Sequence, residues 1–281
     1  MILIDVNAVL YAGVMVQLKT QKEQTIEEGM IRHISLNIIR ANVRKFKEQY
    51  GEVVLCFDNR KYWRKEYFPF YKANRKKNRD ESGLDWHLLF EIMGNIKTEL
   101  KENFPYKCID VDRAEADDII GTLTAEYSSR EEIIIISRDE DFLQLQKYPN
   151  VKQFSPIQQK FLVSKNPELE LRQKIITGDT GDGIPNILSA GDTFVRGLRQ
   201  KRMTEGRMTK FLTDSVDNFD ETDKIGYKRN EMLIDLSFIP EDIKKSIIDT
   251  YNNTKPAPRS KMFNYFIEKR LKNLMEVIEE F

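Results

Sequence analysis

Three short apolar runs in the first half of the chain each stop at an aspartate, and this pattern narrows the fold more than any other feature. Met1-Ile-Leu-Ile4 runs into Asp5, Val53-Val-Leu-Cys-Phe57 into Asp58, and Ile133-Ile-Ile-Ile136 into Ser137-Arg138-Asp139. Runs that are apolar throughout, rather than alternating, suit strands buried on both faces. Between them lies helical spacing, with Met30, Ile34, Ile38 and Ile39 predicting a helix over about 25–50. A further strand is predicted at about 106–111, and a helix over about 114–127. The first half is therefore expected to be α/β, with a parallel sheet covered on both sides.

In an open parallel sheet the carboxyl ends of the strands form the ligand-binding edge. One aspartate there is more often a helix N-cap or a turn former. Three in succession at the same edge argue against chance. Asp139 and Asp141, two residues apart, point the same way in extended backbone. Glu115-Ala-Asp117-Asp118 opens the 114–127 helix, where acids also suit the helix dipole. On an ideal helix Glu115 and Asp118 share a face and Asp117 points elsewhere, so all three reach one site only if Glu115 lies in the lead-in turn. Asp179 and Asp182, in Gly178-Asp-Thr-Gly-Asp-Gly183, are spaced one helical turn apart.

No cation stands at these positions in the sequence. Converging like charges would raise one another's pKa and destabilise the fold. Divalent ions remove that cost, and oxygen-only ligands select Mg²⁺ or Mn²⁺ over zinc. A pair of ions about 3.5–4 Å apart suits phosphodiester hydrolysis. His33 and His87 are isolated and belong to no ligand pattern.

The chain has 45 basic and 45 acidic residues, but the charge is segregated. Residues 60–79 hold nine cations against Glu66 alone, a local net charge of +8. Six aromatics fall within Tyr62–Tyr71: Tyr62, Trp63, Tyr67, Phe68, Phe70 and Tyr71. Cations interleaved with aromatics suit a nucleic-acid strand, through stacking and phosphate neutralisation; the plainer alternative is a solvated helix face with a few core aromatics. From about 169 onward, glycines break the predicted helices, and Arg196, Arg199, Lys201, Arg202, Arg207 and Lys210 crowd one region. Helical patterns resume near 225–250, and Lys255-Pro-Ala-Pro-Arg259 interrupts them before a last helix.

Composition closes off other classes. The 281 residues suggest roughly two domains. Mean hydropathy of −0.54 and the absence of a long apolar stretch exclude a membrane span. Asp5 stands where a signal peptide needs apolar residues, and two cysteines without a CxxC spacing give no disulfide framework. The expectation is a protein of a reducing cytoplasm. No Gly-x-x-x-x-Gly-Lys-[Ser/Thr] is present to support a nucleotide-driven motor.

Taken in order, Asp5, Cys-Phe-Asp58-Asn, Glu115-Ala-Asp117-Asp118, Ser-Arg-Asp139-Glu-Asp141 and Gly-Asp179-Thr-Gly-Asp182 resemble the structure-specific 5′ nuclease (flap endonuclease) family. Tyr-Trp-Arg-Lys, Tyr-Lys-Ala-Asn-Arg, Leu-Gln-Lys-Tyr-Pro-Asn-Val-Lys-Gln and the closing Glu280-Phe281 extend the likeness over nearly the whole chain, toward bacteriophage members. The resemblance implies a PIN-like α/β nuclease domain over about 1–165 with a helical arch at about 60–90. It implies a helical C-terminal domain over about 166–281, with a helix-hairpin-helix-type duplex-binding element at about 170–215. It places Asp5, Asp58, Asp117 and Asp139, with Glu115 alongside, at one metal, and Asp118, Asp141, Asp179 and Asp182 at a second. Both ions would be Mg²⁺, with Mn²⁺ able to substitute. Lys72 and Arg75 fall against the scissile phosphate, Tyr71 where a ring stacks on the terminal base, and Arg64 at a phosphate. Arg196, Arg199, Lys201 and Arg202 would contact nucleic acid in the duplex-binding element.

This chain departs from bacterial members in two places: Ser137-Arg138-Asp139-Glu140-Asp141 adds a charge of each sign beside the site, and Leu-Ser-Ala-Gly191-Asp192 replaces the usual glycine hairpin.

The implied activity is 5′–3′ exonucleolytic and flap-endonucleolytic cleavage of 5′-flapped, nicked or forked DNA and RNA–DNA hybrid, removing lagging-strand RNA primers in phage replication. Single-strand DNA-binding protein and sliding clamp are the implied replisome partners, for a monomer acting in the host cytoplasm. Two rivals account for less. A phosphomonoesterase with an aspartyl nucleophile would need Asp-x-Asp where the chain has Asp5-Val-Asn7. A non-catalytic flap- or fork-binding accessory protein would leave the acids unexplained.

Overall fold

The computed structural model describes residues 1–20 and 26–281. Six strands form one sheet: β1 (Ile2–Asp5), β2 (Val53–Cys56), β3 (Lys107–Ile109), β4 (Ile133–Ile136), β5 (Val151–Ser155) and β6 (Lys160–Leu162), in the order β3-β2-β1-β4-β5-β6. The first five are parallel, and β6 pairs antiparallel with β5. From β1 the chain builds outward to β2 and β3, whereas from β4 it builds the other way. The crevice between β1 and β4 is thus the topological switch point, where open α/β sheets place their ligands. The last two strands have no counterpart among the sequence expectations.

The first half contributes α1 (Val6–Thr20), α2 (Glu28–Tyr50), α3 (Trp63–Tyr67), α4 (Asn74–Asp80), α5 (Trp86–Asn103) and α6 (Ala116–Tyr127). The second half contributes α7 (Pro167–Thr177), α8 (Glu205–Thr213), α9 (Glu221–Ile234), α10 (Glu241–Asn253), α11 (Arg259–Glu268) and α12 (Lys272–Met275). Helix α1 was not foreseen, because Val6-Asn-Ala-Val-Leu-Tyr-Ala-Gly carries no sharp polar face. The helix expected from about residue 25 begins at Glu28; Thr25 lies outside the described residues.

Successive residues of each strand feed opposite cores, as the two-residue period demands. Ile2, Ile4, Leu55, Ile134 and Ile136 pack beneath α1, α2 and α5, whereas Leu3, Val54, Ile133 and Ile135 pack beneath α6. All are fully buried, which is why the runs are apolar throughout. The second half does not stand apart from this sheet. Ile243, Ile247 and Tyr251 of α10 complete the core beneath α6, and Met262, Tyr265 and Phe266 of α11 join Phe281 in the core beneath α5. A third core forms under α7, α8 and α9 from Ile175, Ile176, Phe211, Tyr227 and Leu233, and it takes in Phe68 and Tyr71 from the basic segment.

The second and third cores together correct one expectation. Trp63, Phe68 and Tyr71 are buried, Tyr62 and Phe70 partly so, and Tyr67 stays 48% exposed. The aromatics of the basic segment chiefly anchor it to the elements around it, with Arg64 buried and Lys72 turned inward to Glu115.

Candidate active site

The acids gather at the carboxyl edge of the sheet, around the switch point. Asp5 ends β1, and its carboxylate accepts from the Ala8 N–H (3.1 Å) and, across the crevice, from the Ser137 hydroxyl (3.0 Å). Asp58 follows β2; Asn7 Nδ2 donates to it at 2.8 Å, and so does the Ala116 N–H that opens α6, also at 2.8 Å. Asn7, the residue that breaks the Asp-x-Asp pattern, therefore orients Asp58. Asp139 caps the 3-10 helix Glu140–Lys147 by accepting from the Asp141 N–H at 3.0 Å. Gln153 of β5 fixes this turn by donating to the carbonyls of Ser137 (3.1 Å) and Asp139 (2.6 Å).

Glu115 occupies the position on which convergence depends. It is the N-cap of α6, in extended backbone (φ −96°, ψ 165°), so it lies in the lead-in turn and not on the helix. Asp117 then faces the crevice alongside Asp5 and Asp139. Burial and mutual repulsion leave their mark on this group. Burial first, then Asp58 and Asp139, push the Asp5 carboxyl up to about 7. Burial, Asp139 and Asp5 hold Asp117 well above its ordinary value, and burial likewise raises Asp139.

A second group of acids is balanced by cations from elsewhere in the chain, which the sequence positions alone did not reveal. Lys72 Nζ bonds Glu115 and lies 3.5 Å from Asp182; Arg75 bonds Asp182. Lys174 of α7 pairs with Asp141 and lies 3.2 Å from Asp179. Burial alone would raise Glu115 and Asp182, yet Lys72, with Arg64 for the first and Arg75 for the second, holds both below the ordinary carboxylate range. Lys174 was not singled out from the sequence, since nothing distinguishes it from the other lysines of the chain.

Asp179 and Asp182 sit in a tight turn, not on a helix. Asp179 bridges to Ile184, and the Asp182 N–H donates to Asp179 Oδ1 at 3.1 Å. Gly178 and Gly183 both have positive φ, and a Cβ on Gly178 would meet the Ile184 carbonyl oxygen at 2.3 Å. This turn clasps the basic segment: the Lys72 N–H donates to the Asp182 carbonyl at 2.7 Å, with Lys72 itself in the left-handed region (φ 56°). A lysine held there marks a strained position that its surroundings maintain.

Three residues are placed differently from the resemblance. Arg64 is 2% exposed, 3.0 Å from Glu115 and 2.8 Å from Asp118, and donates to the Leu233 carbonyl at 2.9 Å. It is an internal counter-ion, with no surface left for a phosphate. Asp118 turns inward to Arg64, the Trp63 indole (3.1 Å) and the Glu115 N–H (2.9 Å), completing a capping box. The Tyr71 ring is buried, its hydroxyl 3.0 Å from Glu115 and 2.9 Å from Asp182. Arg196, Arg199, Lys201 and Arg202 are exposed, beyond the Gly178–Gly183 turn. His33 and His87 are exposed.

As the side chains stand, no three acids among the described residues close on a single point in the manner of a metal cage. The donor chemistry nonetheless fits divalent cations. Asp5, Asp58, Asp117 and Asp139 form an oxygen-only group without an ion pair among the described residues, and burial raises Asp5, Asp117 and Asp139, while lysine and arginine pair with Glu115, Asp141, Asp179 and Asp182.

The chain is similar to known proteins along its whole length. A family model for the 5′-3′ exonuclease N-terminal resolvase-like domain matches residues 1–174, and one for the C-terminal part of T4 RNase H matches residues 165–281. Ribonuclease H of Enterobacteria phage T4 is 36% identical over 293 aligned residues, covering 99% of this chain and 95% of that protein. Flap endonuclease Xni of Shewanella piezotolerans is 31% identical over 52% of this chain and 57% of its own length. Among solved structures, the fold matches phage T5 5′-exonuclease with bound zinc (TM-score 0.64, 15% identity, 91% of this chain and 99% of that one). It also matches the T5 D15 flap endonuclease in a pseudo-enzyme-product complex with DNA and metal ions (TM-score 0.60, 17% identity, 90% and 99%).

Two outcomes follow from the charge arrangement. Arg64→Ala should lower stability by roughly 3–5 kcal/mol in urea denaturation, because it strands two buried carboxylates; a phosphate-contacting arginine would leave stability nearly unchanged. The metal-free protein should lose stability as pH rises from about 5 to 7, since a raised Asp5 binds a proton in the folded state that the unfolded chain has already released. Asp5→Asn should lessen that dependence, leaving the part due to the raised Asp117 and Asp139, read as Tm against pH in EDTA. Glu115 and Asp182, being lowered, act only at more acidic pH. By the length of both matches and by the likeness of its sequence, the chain belongs to the 5′-3′ exonuclease family.

Proposed function

We propose that the protein is a divalent-metal-dependent 5′ nuclease that cleaves 5′-flapped, nicked or forked DNA and RNA–DNA hybrid, removing RNA primers from lagging-strand fragments during phage replication. The observation that carries this proposal is the convergence of Asp5, Asp58, Asp117 and Asp139 at the switch point, facing Lys72 and Arg75 across Glu115 and Asp182. A binding module has no use for a buried cluster of acids that destabilises its own fold.

Asp5, Asp58, Asp117 and Asp139 would hold one Mg²⁺ with Glu115 alongside, and Asp141, Asp179 and Asp182 would serve a second, partly through water. Mn²⁺ shares the preference for oxygen ligands and would substitute at such sites. When bound, the ions supply Lewis acidity and activate water for in-line attack on the phosphodiester. The chain's own residues do the remainder. Ser137, Asn7 and the Ala116 N–H hold the first acids in place. Lys72 and Arg75 present positive charge where the phosphate gathers negative charge. Buried Arg64 fixes the pose of Glu115, and Asp118 locks the start of α6. Exposed Arg196, Arg199, Lys201 and Arg202 hold duplex phosphates away from the cut.

Among the described residues no helix is long and apolar enough to cross a membrane. We place the enzyme in the host cytoplasm as a monomer, working beside single-strand DNA-binding protein and sliding clamp.

Cleavage of a 5′-labelled, 5′-flapped nicked duplex, with Mg²⁺ or with EDTA, tests the proposal. The wild type should release short 5′ fragments only with the metal. Asp139→Asn should bind the same substrate while losing cleavage by about a hundredfold or more; binding without cleavage in the wild type would make the protein a flap-binding accessory factor. Lys72→Ala should reduce single-turnover cleavage by about two orders of magnitude and affinity only severalfold, whereas a proportional fall in both would make Lys72 a strand-holding residue.

A further inference from the structure

One surface of charge and aromatic character lies outside everything assigned above. Helix α5 buries Leu89, Ile92, Met93, Ile96 and Leu100. Along one flank of its exposed side, Phe90, Gly94, Lys97 and Lys101 recur at helical spacing, a line of roughly 17 Å at 1.5 Å per residue. Phe90 is 45% exposed and sits in a small aromatic group, 5.8 Å from Trp86 and 5.9 Å from Tyr11 between ring centres, with the Arg79 guanidinium 5.7 Å from its own. A side chain at Gly94 would touch nothing, so the flank is open between the ring and the lysines.

The line passes beside the strand-end acids at Lys97 and ends in a basic groove. Lys97 pairs with Asp110 and lies 5.2 Å from the Phe57 ring, and Asp110 accepts from Asn59 at 3.0 Å, next to Asp58. At the far end a groove of about 660 Å³ opens between α5 and the Lys255–Lys261 segment. Its cations are Lys97, Lys101, Lys255 and Lys261 against a single acid, Glu102. Among the described residues Lys101, Lys255 and Lys261 make no ion pair, so their charge is unspent. The opposite wall is rigid: Pro256 and Pro258 fix the backbone, and the Ala257 N–H donates to the Phe104 carbonyl at 3.2 Å.

We propose that this flank of α5 and the lysine groove beyond it form a track for a single-stranded arm of the substrate, with Phe90 stacking on a base and Lys101, Lys255 and Lys261 holding successive phosphates. An exposed ring followed by unpaired cations at intervals suits an unpaired strand, whose bases are free to stack; a duplex offers phosphates but no base face. The track rests on the nuclease assignment, and it extends that site by a surface from which the arm is held clear of the cut.

The test compares two substrates that differ only in the arm: a forked duplex with a long single-stranded arm, and the same duplex with the arm removed. Binding is measured in EDTA across a salt series, and cleavage in Mg²⁺. The Lys101→Glu/Lys255→Glu/Lys261→Glu variant should bind the armed fork at least about tenfold more weakly at 0.1 M salt, with the slope of log K against log salt shallower by about 2. On the armless duplex it should match the wild type in both binding and cleavage. Phe90→Ala should weaken armed-fork binding roughly fivefold or more with the salt slope unchanged. Equal losses on both substrates would overturn the track, and so would no loss on either, an outcome that would hand the groove to an acidic protein partner. Because binding is read without metal, a wild type that binds the arm but cleaves neither substrate would overturn the nuclease assignment and leave the track standing.

Discussion

Repulsion among carboxylates at one edge of a sheet is the constraint that organises this molecule. The strand ends and the start of α6 bring Asp5, Asp58, Glu115, Asp117 and Asp139 into a crevice where burial makes the charges of Asp5, Glu115, Asp117 and Asp139 costly. Uncompensated, that crowding would oppose folding. The chain answers part of it by delivering cations from three separate places to Glu115 and to the neighbouring acids Asp118, Asp141, Asp179 and Asp182, and leaves Asp5, Asp58, Asp117 and Asp139 without an ion pair among the described residues. Arg64 comes from α3, Lys72 and Arg75 from the segment before and at the start of α4, and Lys174 from α7. The acids are thus what ties the basic segment and the second half of the chain to the sheet.

The way those cations arrive has structural consequences. Lys72 bonds Glu115 from a left-handed backbone, and the Asp182 carbonyl accepts its N–H in that pose. The turn that presents Asp182 needs glycine at 178 and 183 for the same steric reason. Strain is therefore concentrated where the basic segment meets the Gly178–Gly183 turn, and the aromatic anchors Phe68 and Tyr71 hold the segment against it. On the proposed function, divalent ions would take over the charge balance of the acids. Lys72 and Arg75 would then be released to face a phosphate, so that one set of side chains stabilises the metal-free fold and serves the reaction.

Much of this arrangement was legible beforehand, because strand-end acids are a local signal with a global meaning. Apolar runs of four residues can be buried on both faces only in a covered parallel sheet, and that sheet has just one edge for ligands. What stayed hidden was partnership. Arg64 and Lys72 are both cations in the same basic segment, yet one is a buried counter-ion and the other lies at the mouth of the site. Asp117 and Asp118 are neighbours, yet only Asp117 faces the crevice, since the capping box claims Asp118. The crowded aromatics suggested a stacking surface, whereas a third core, assembled from helices more than a hundred residues further along the chain, buries Phe68 and Tyr71 and packs against Tyr62 and Phe70, and Trp63 enters the core beneath α6.

The sequence by itself determined the α/β class, the position of the acids at strand ends and the segregation of charge, because these follow from residue type and short-range period. Only the tertiary structure decided which cation neutralises which acid, which acids face the crevice, and that α10 and α11 return to cover the sheet. Those outcomes depend on contacts such as Arg64 with Leu233 and Lys174 with Asp141, whose separation along the chain no local pattern records.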